Sequence, residues 1–231
     1  MERKIVHVVG TGTIGEPLIG LLCDYKDKLG IDEVTFHKNS VSKIDKSKVV
    51  DLLKRGARLA VDDEKVSNFK KFKIDSDLKT EDAIERASVV IDCMPSGIGH
   101  ENKKEFYESF SNKVKGFIAQ GSEDGFGKKY ARGINDETLN SDDKFLQVVS
   151  CNTHNISCLT KTIAFDNNFS NNLVSGSFVC IRRANDLSQD TSFIPAPQVG
   201  VHDDEQFGTH HARDAYGLFN TMGEKLDLFS S

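Results

Sequence analysis

The glycine-rich run GTGTIG at residues 10–15 constrains the fold of this chain more than any other segment. It follows a short apolar run and precedes a segment with helical periodicity that reaches residue 29. In the G-x-G-x-x-G pattern Gly10 allows a tight turn, Gly12 lets the backbone approach a pyrophosphate, and Gly15 lets the helix pack on the strand. A second strand over residues 33–37 completes a β-α-β unit. The pattern therefore predicts dinucleotide binding, with a purely structural glycine turn as the alternative.

The residues after the second strand indicate which dinucleotide is bound. NAD enzymes usually place a carboxylate about 20 residues after the glycines, where it holds the ribose 2'-hydroxyl. Here the strand runs into the sequence FHKNS, which carries no carboxylate. Because the ammonium group of a lysine at this place would bind a 2'-phosphate, Lys38 favours NADP over NAD as the cofactor. The alternative is that Lys38 is a solvated loop residue.

The order of the remaining elements indicates an α/β fold. A helix is predicted over residues 80–86, a strand over 88–93, a helix over 103–110 and a strand over 116–119. Such alternation is typical of a Rossmann-type, doubly wound parallel sheet covered by helices on both faces. Beyond residue 150 the run from Leu173 to Arg183 is more typical of an antiparallel strand, and residues 209–219 favour a helix. We expect a nucleotide-binding domain over 1–149 and a partial α+β catalytic domain over 150–231.

Composition excludes several other classes of protein. A net charge of -5 and a pI near 5.8 argue against nucleic-acid binding through a basic surface. No apolar run is long enough to span a membrane, and the first residues do not form a signal peptide. An odd number of cysteines without a C-x-x-C pair argues against disulfides and a zinc site, so we expect a reducing cytoplasm and no metal. Core positions are expected for three of them, Cys23, Cys93 and Cys158.

Cys151 lies in the run VVSCNT, where a strand is expected to give way to a helix. The N–H groups at a helix N-terminus favour negative charge, and hence a thiolate. Addition of a thiolate to an aldehyde creates a tetrahedral alkoxide, from which hydride transfer is easier. An incoming phosphate needs cationic or N–H partners, which Arg182, Arg183, His210 and His211 can provide. The alternative is that Cys151 is a small buried apolar residue.

Six motifs occur in order along nearly the whole chain: GTGTIG at 10–15, DCMPSGIG at 92–99, QG at 120–121, VVSCNT at 148–153, RRA at 182–184 and HH at 210–211. Together they resemble the archaeal-type phosphorylating glyceraldehyde-3-phosphate dehydrogenases. The resemblance implies conversion of glyceraldehyde 3-phosphate, phosphate and NAD(P)+ to 1,3-bisphosphoglycerate through a thiohemiacetal and a thioester. It also implies a place in glycolysis or gluconeogenesis and assembly as a homotetramer.

The resemblance further implies roles for individual residues. The nucleophile would be Cys151. The cofactor contacts would include Thr13, Ile14, Lys38 at the 2'-phosphate, Gly121 and Arg182, together with the three glycines of the turn. The substrate contacts would be Ser150, Asn152, His210 and His211.

The sequence departs from that family at the general base. The family's base histidine lies beyond the paired histidines, whereas no histidine follows His211 here. We therefore expect a chain that is C-terminally shortened relative to the family, with His154 as an alternative proton acceptor close to Cys151. Loss of a positioned acceptor costs about two to four orders of magnitude in rate. The alternative functions are a non-catalytic NAD(P)-binding protein and a related semialdehyde dehydrogenase or acyl-phosphate reductase.

Overall fold

The computed structural model describes residues 3–121, 123–165, 172–181 and 204–231. The chain forms two compact units, Met1–Phe126 and Gly127–Ser231. The expected domain boundary at residues 149 and 150 thus falls inside the second unit, which also contains the two strands that precede it. Arg182 and Arg183 lie outside the described residues.

The first unit is built on parallel strands. These are β1 (Ile5–Val9), β2 (Glu33–His37), β3 (Arg58–Ala60), β4 (Val89–Asp92) and β5 (Gly116–Ala119). Within this unit they follow the order β3-β2-β1-β4-β5, and each neighbouring pair is parallel. The expected Rossmann-type parallel sheet is confirmed. The strand order reverses at β1 and β4, and open α/β sheets bind ligands at the carboxyl ends of the strands beside such a switch.

Helices connect these strands. They are α1 (Gly15–Asp24), α2 (Lys26–Leu29), α3 (Lys46–Lys54), α4 (Val66–Lys71), α5 (Thr80–Arg86), α6 (Ile98–Asn102) and α7 (Glu108–Phe110). A π-helical turn, Lys103–Tyr107, joins the last two. The single helix expected up to residue 29 is interrupted at Tyr25, whose φ and ψ of -106° and 11° are not helical. The predicted helix over 80–86 is confirmed, with Lys79 in the position before its first residue.

The sheet of the first unit is buried on both faces, because all five residues of β2 and four of the five in β1 are buried. Val8, Phe36 and Leu59 are completely buried, and each such side chain contributes about 1.5–3 kcal/mol to folding. His7 shares this core, with its Nδ1 atom 2.8 Å from Thr35 Oγ1. Burial, and secondarily the charge of His37, lowers the pKa of His7 to about 3. His7 is therefore neutral at physiological pH.

The second unit contains β6 (Lys128–Tyr130), β7 (Phe145–Val148), α8 (Cys151–Ala164), β8 (Gly176–Phe178), α9 (His210–Asn220) and β9 (Leu228–Ser230). Its core is formed where α9 packs on α8, with Leu218 and Phe219 of α9 and Ile156 of α8 buried. The expectation of an antiparallel strand over residues 173–183 is wrong. β8 covers only Gly176–Phe178 and pairs in parallel with β9. A helical connection explains the direction, because α9 lies between the two strands in sequence and returns the chain to the same end.

Candidate active site

The glycine turn between β1 and α1 has the geometry that the motif predicts. Gly10 has a φ of +92°, a backbone conformation that favours glycine. A Cβ atom on Gly15 would lie 2.0 Å from the carbonyl oxygen of Gly10, so only glycine allows α1 to start this close to the turn. Thr13 and Ile14 are exposed at the start of α1. The turn is thereby fixed by two glycines with different structural roles.

Gly12 differs from the other two glycines. A Cβ atom at this position would meet nothing within 4 Å, and its φ is not in the left-handed region. Neither backbone strain nor packing within the protein therefore requires a glycine here. A dinucleotide-binding turn needs a residue without a side chain at this position, because the pyrophosphate approaches its backbone. The residues of this turn fit a bound dinucleotide.

Lys38 is held against the glycine turn. Its Nζ atom donates a hydrogen bond to Thr11 Oγ1 at 3.0 Å and lies 3.9 Å from Asp45 Oδ1. The side chain is only 13% exposed. Hydrogen bonds from Ser42, helped by the charge of Lys38, lower the pKa of Asp45. The lysine ammonium thus lies beside the loop where a cofactor would bind, with one carboxylate as a distant partner.

A cavity of about 690 Å³ lies at the carboxyl ends of the strands of the first unit. Its lining includes His37, Asn39, Asp62, Lys65 and Thr80. Lys65 Nζ bonds Asp62 Oδ2 at 2.7 Å and also contacts Asn39 Oδ1. Burial alone would raise the pKa of Asp62, but hydrogen bonds from Lys65 and Thr80 outweigh it and lower the pKa. Sequence reasoning missed this group because its members come from three separate segments of the chain and form no local motif.

Two buried carboxylates hold the loop that follows β4. Asp92 accepts hydrogen bonds from Tyr107 Oη at 2.5 Å, Asn102 Nδ2 at 2.8 Å and the backbone N–H of Met94 at 2.9 Å. Glu123 accepts from the N–H groups of Gly97 at 2.7 Å and His100 at 3.1 Å. Glu123 also fills the space beside Gly99, which explains the second glycine of the DCMPSGIG run. Gly121 is buried just beyond β5.

Cys151 is the first residue of α8, as the sequence predicted, and it is exposed. Ser150 precedes the helix and its Oγ atom accepts a hydrogen bond from the N–H of Thr153 at 3.3 Å. The alternative of a buried apolar cysteine is wrong for Cys151. In contrast, burial, with a smaller contribution from Asp92, raises the pKa of Cys93 to about 12. Cys158 was expected in the core but is exposed, because it falls on the solvent side of α8.

His211 contacts the residues on both sides of Cys151. Its Nδ1 atom lies 3.2 Å from Ser150 Oγ, and its Nε2 atom lies 3.2 Å from Asn152 Nδ2. His210 is exposed, and its ring centroid lies 3.9 Å from that of His211. The structure thus brings Ser150, Cys151, Asn152 and the histidine pair together within the second unit.

His154 lies one turn after Cys151 on α8. Its Nε2 atom is 3.0 Å from the carbonyl oxygen of Arg132. Because a carbonyl only accepts hydrogen bonds, Nε2 carries the proton and Nδ1 is left with a lone pair in the neutral ring.

No three side chains of the metal-binding types come together in the described part of the chain. None of its helices is long and apolar enough to cross a bilayer.

No family model matches the sequence, whereas individual proteins do. Glyceraldehyde-3-phosphate dehydrogenase of Pyrobaculum arsenaticum is 30% identical over 156 residues, covering 65% of this chain and 41% of that protein. The enzyme of the same name from Sulfolobus acidocaldarius is 30% identical over 185 residues, covering 78% and 48% of the two chains. The chain is a relative of the archaeal glyceraldehyde-3-phosphate dehydrogenases.

The match to this archaeal dehydrogenase group extends over both units. The protein of that name from Picrophilus torridus is 24% identical over 216 residues, which is 93% of this chain and 58% of that protein. The chain spans about two-fifths of the length of the Pyrobaculum relatives. Because 93% of this chain is matched, the Cys151 segment lies within the matched part.

Proposed function

We propose that this chain is an NAD(P)-dependent oxidoreductase that converts glyceraldehyde 3-phosphate and phosphate to 1,3-bisphosphoglycerate, with Cys151 as the nucleophile. The observation that carries the proposal is the exposed thiol at the first position of a 14-residue helix. Ser150, Asn152 and His211 are hydrogen-bonded around it. The family relationship supplies the substrate and the reaction type.

The proposed reaction begins at the thiol. The Cys151 thiolate attacks the aldehyde carbon, and the carbonyl oxygen becomes an alkoxide. Loss of a hydride from this carbon leaves a thioester on Cys151. A nicotinamide cofactor held at the glycine turn would supply the hydride acceptor. A phosphate oxygen then attacks the acyl carbon, which releases an acyl phosphate and restores the thiolate. His210, exposed beside this segment, is our candidate contact for the negatively charged substrate groups.

The thiol proton must be accepted before the attack, and His154 is our candidate acceptor. Helical side chains lean towards the N-terminus, so a residue one turn after Cys151 lies over the turn that contains it. The bond from Nε2 to Arg132 orients the ring and leaves Nδ1 as the basic atom. This is the general arrangement in which a third group orients a base beside a nucleophile.

For the cofactor, we propose binding at the glycine turn, with NADP favoured over NAD. The open space beside Gly12, which has no side chain, supports approach of the pyrophosphate. The N-terminus of α1 attracts the negative charge of the pyrophosphate. The ammonium group of Lys38, held on Thr11, supports binding of a 2'-phosphate. Gly121 and Arg182 are included among the cofactor contacts by resemblance.

Turnover with the Cys151→Ser variant tests the catalytic proposal. We expect reduction of NADP with glyceraldehyde 3-phosphate and phosphate in the wild-type chain, and its loss in the variant with cofactor binding retained. Cys158→Ser is the matched control, because this cysteine is exposed on the same helix. Turnover that survives the loss of Cys151 would contradict the mechanism.

A non-catalytic dinucleotide-binding protein is the second candidate, because the glycine turn and the cavity both lie within the first unit. Tight NADP binding without turnover in any variant would favour it. Phosphate-dependent oxidation of other aldehydes in preference to glyceraldehyde 3-phosphate would instead indicate a semialdehyde dehydrogenase or acyl-phosphate reductase. Gly12→Ala tests the binding site in all three cases, since its methyl group meets no protein atom and should block only the cofactor.

By resemblance we also propose a homotetramer in the cytoplasm. The expectation of a reducing compartment is based on the five free cysteines of the sequence. Light scattering of the purified chain measures the assembly, and a monomer at micromolar concentration would contradict the tetramer.

A further inference from the structure

We propose that His211 is a positioning residue that fixes the first turn of α8, and with it the orientation of the Cys151 side chain. The resemblance places His211 among the substrate contacts. In the structure both nitrogens of its ring are instead directed at protein groups, Ser150 Oγ on one side and Asn152 Nδ2 on the other. These two residues are the neighbours of Cys151 in the chain.

The protons in this cluster can be assigned, because each contact needs one donor. The amide nitrogen of Asn152 is a donor, so Nε2 of His211 accepts and its Nδ1 carries the proton. Ser150 Oγ accepts from Nδ1–H of His211 and from the N–H of Thr153, and it donates to Thr153 Oγ1. Thr153 Oγ1 in turn donates to the carbonyl oxygen of His211. The ring of His211 therefore closes a hydrogen-bonded network around the start of α8.

This network restrains the part of the helix that matters for the thiolate. The N–H groups of the first turn stabilise a negative charge only while they remain aligned. Without His211, Asn152 and Ser150 would each lose a partner on α9, and the turn would be held by its own helix alone. The exposed neighbour His210 is then the member of the pair that faces the solvent.

Alkylation of the two exposed cysteines of α8 tests the proposal without requiring turnover. The rates of modification by iodoacetamide are measured at Cys151 and Cys158 in the same molecules by peptide mass spectrometry. Both thiols lie on one helix, so their rate ratio cancels effects on overall stability. The variants are His211→Leu, and Asn152→Ala in case the first does not fold. Asn220→Ala, exposed at the end of α9, is the control.

We expect the ratio of the Cys151 rate to the Cys158 rate to fall about two- to fivefold in His211→Leu, the range of a lost helix-terminus interaction. Asn152→Ala should shift it in the same direction and the control should not. His211→Asn keeps a donor near Ser150, and His211→Gln keeps an acceptor near Asn152, so each should restore part of the ratio. An unchanged ratio in folded His211→Leu and in Asn152→Ala would overturn the proposal.

Where turnover is measurable, the same variants separate positioning from substrate binding. A positioning residue lowers kcat with little change in KM, whereas a substrate contact raises KM. This part alone rests on the proposed dehydrogenase activity. If the chain shows no turnover but the alkylation ratio falls as expected, the proposed function fails and the role of His211 stands.

Discussion

Acidification should destabilise the first unit through a single buried histidine. His7 lies completely buried in β1, bonded through Nδ1 to Thr35, and its pKa is lowered to about 3. An unfolded histidine titrates near pH 6.5. Below that pH the unfolded chain binds a proton that the folded chain does not, so stability falls as the pH decreases from about 6.5 to about 3.

The size of this effect follows from the two pKa values. One pKa unit corresponds to about 1.4 kcal/mol, so at pH 5 the contribution of His7 is a loss of about 2 kcal/mol relative to pH 7. That is a large fraction of the roughly 5–15 kcal/mol by which a domain is stable. The lowered pKa of His37, caused mainly by burial, acts in the same direction.

The measurement is urea unfolding at pH 7 and pH 5, followed by far-UV circular dichroism because the chain has no tryptophan. The matched variant is His7→Val combined with Thr35→Val, which removes both hydrogen-bonding partners and leaves apolar groups suited to a strand. We expect the wild type to lose about 2 kcal/mol more than the double variant between the two pH values. Equal losses would refute the reasoning, since other groups titrate in both proteins.

Three further predictions concern residues of the first unit. Gly15→Ala places a methyl group 2.0 Å from the Gly10 carbonyl oxygen, so it should lower the melting temperature measured by circular dichroism; an unchanged temperature would mean that the turn adapts freely. Lys38→Ala should weaken NADP binding, measured by calorimetry, about tenfold or more while affecting NAD little, because a charge-assisted bond contributes about 1.5–3 kcal/mol. Cys93 should resist iodoacetamide in the native protein at pH 8 and react only in denaturant, given its pKa of about 12. Labelling of native Cys93 at the rate of Cys151 would contradict its burial.

The sequence predicted the parts of the fold that depend on local patterns. The glycine turn, β2 over Glu33–His37 and the start of α8 at Cys151 lie where the motifs placed them. Each is set by residues within one turn or one strand, such as Gly15 against Gly10 and Ser150 before Cys151. For these elements short-range physics was sufficient.

Features that depend on distant residues were missed. The cavity residues Asp62, Lys65 and Thr80 come together only when β3 and α5 are in place. The parallel direction of β8 depends on its partner β9 beyond α9. The bonds of His211 to Ser150 and Asn152 link positions about 60 residues apart in the sequence. Local residue patterns do not encode contacts of this kind.

The way Gly10 packs has a consequence for the order of folding. β1, α1 and β2 are contiguous in sequence, whereas β4 reaches β1 from more than 80 residues away, with Val6 opposite Val89. The carbonyl oxygen of Cys93, just after β4, would lie 3.1 Å from a Cβ atom on Gly10. Non-local pairings of this kind form slowly, so the turn is enclosed only once β4 has docked. A ligand that needs the finished turn would bind after that step and would stabilise the assembled sheet against unfolding.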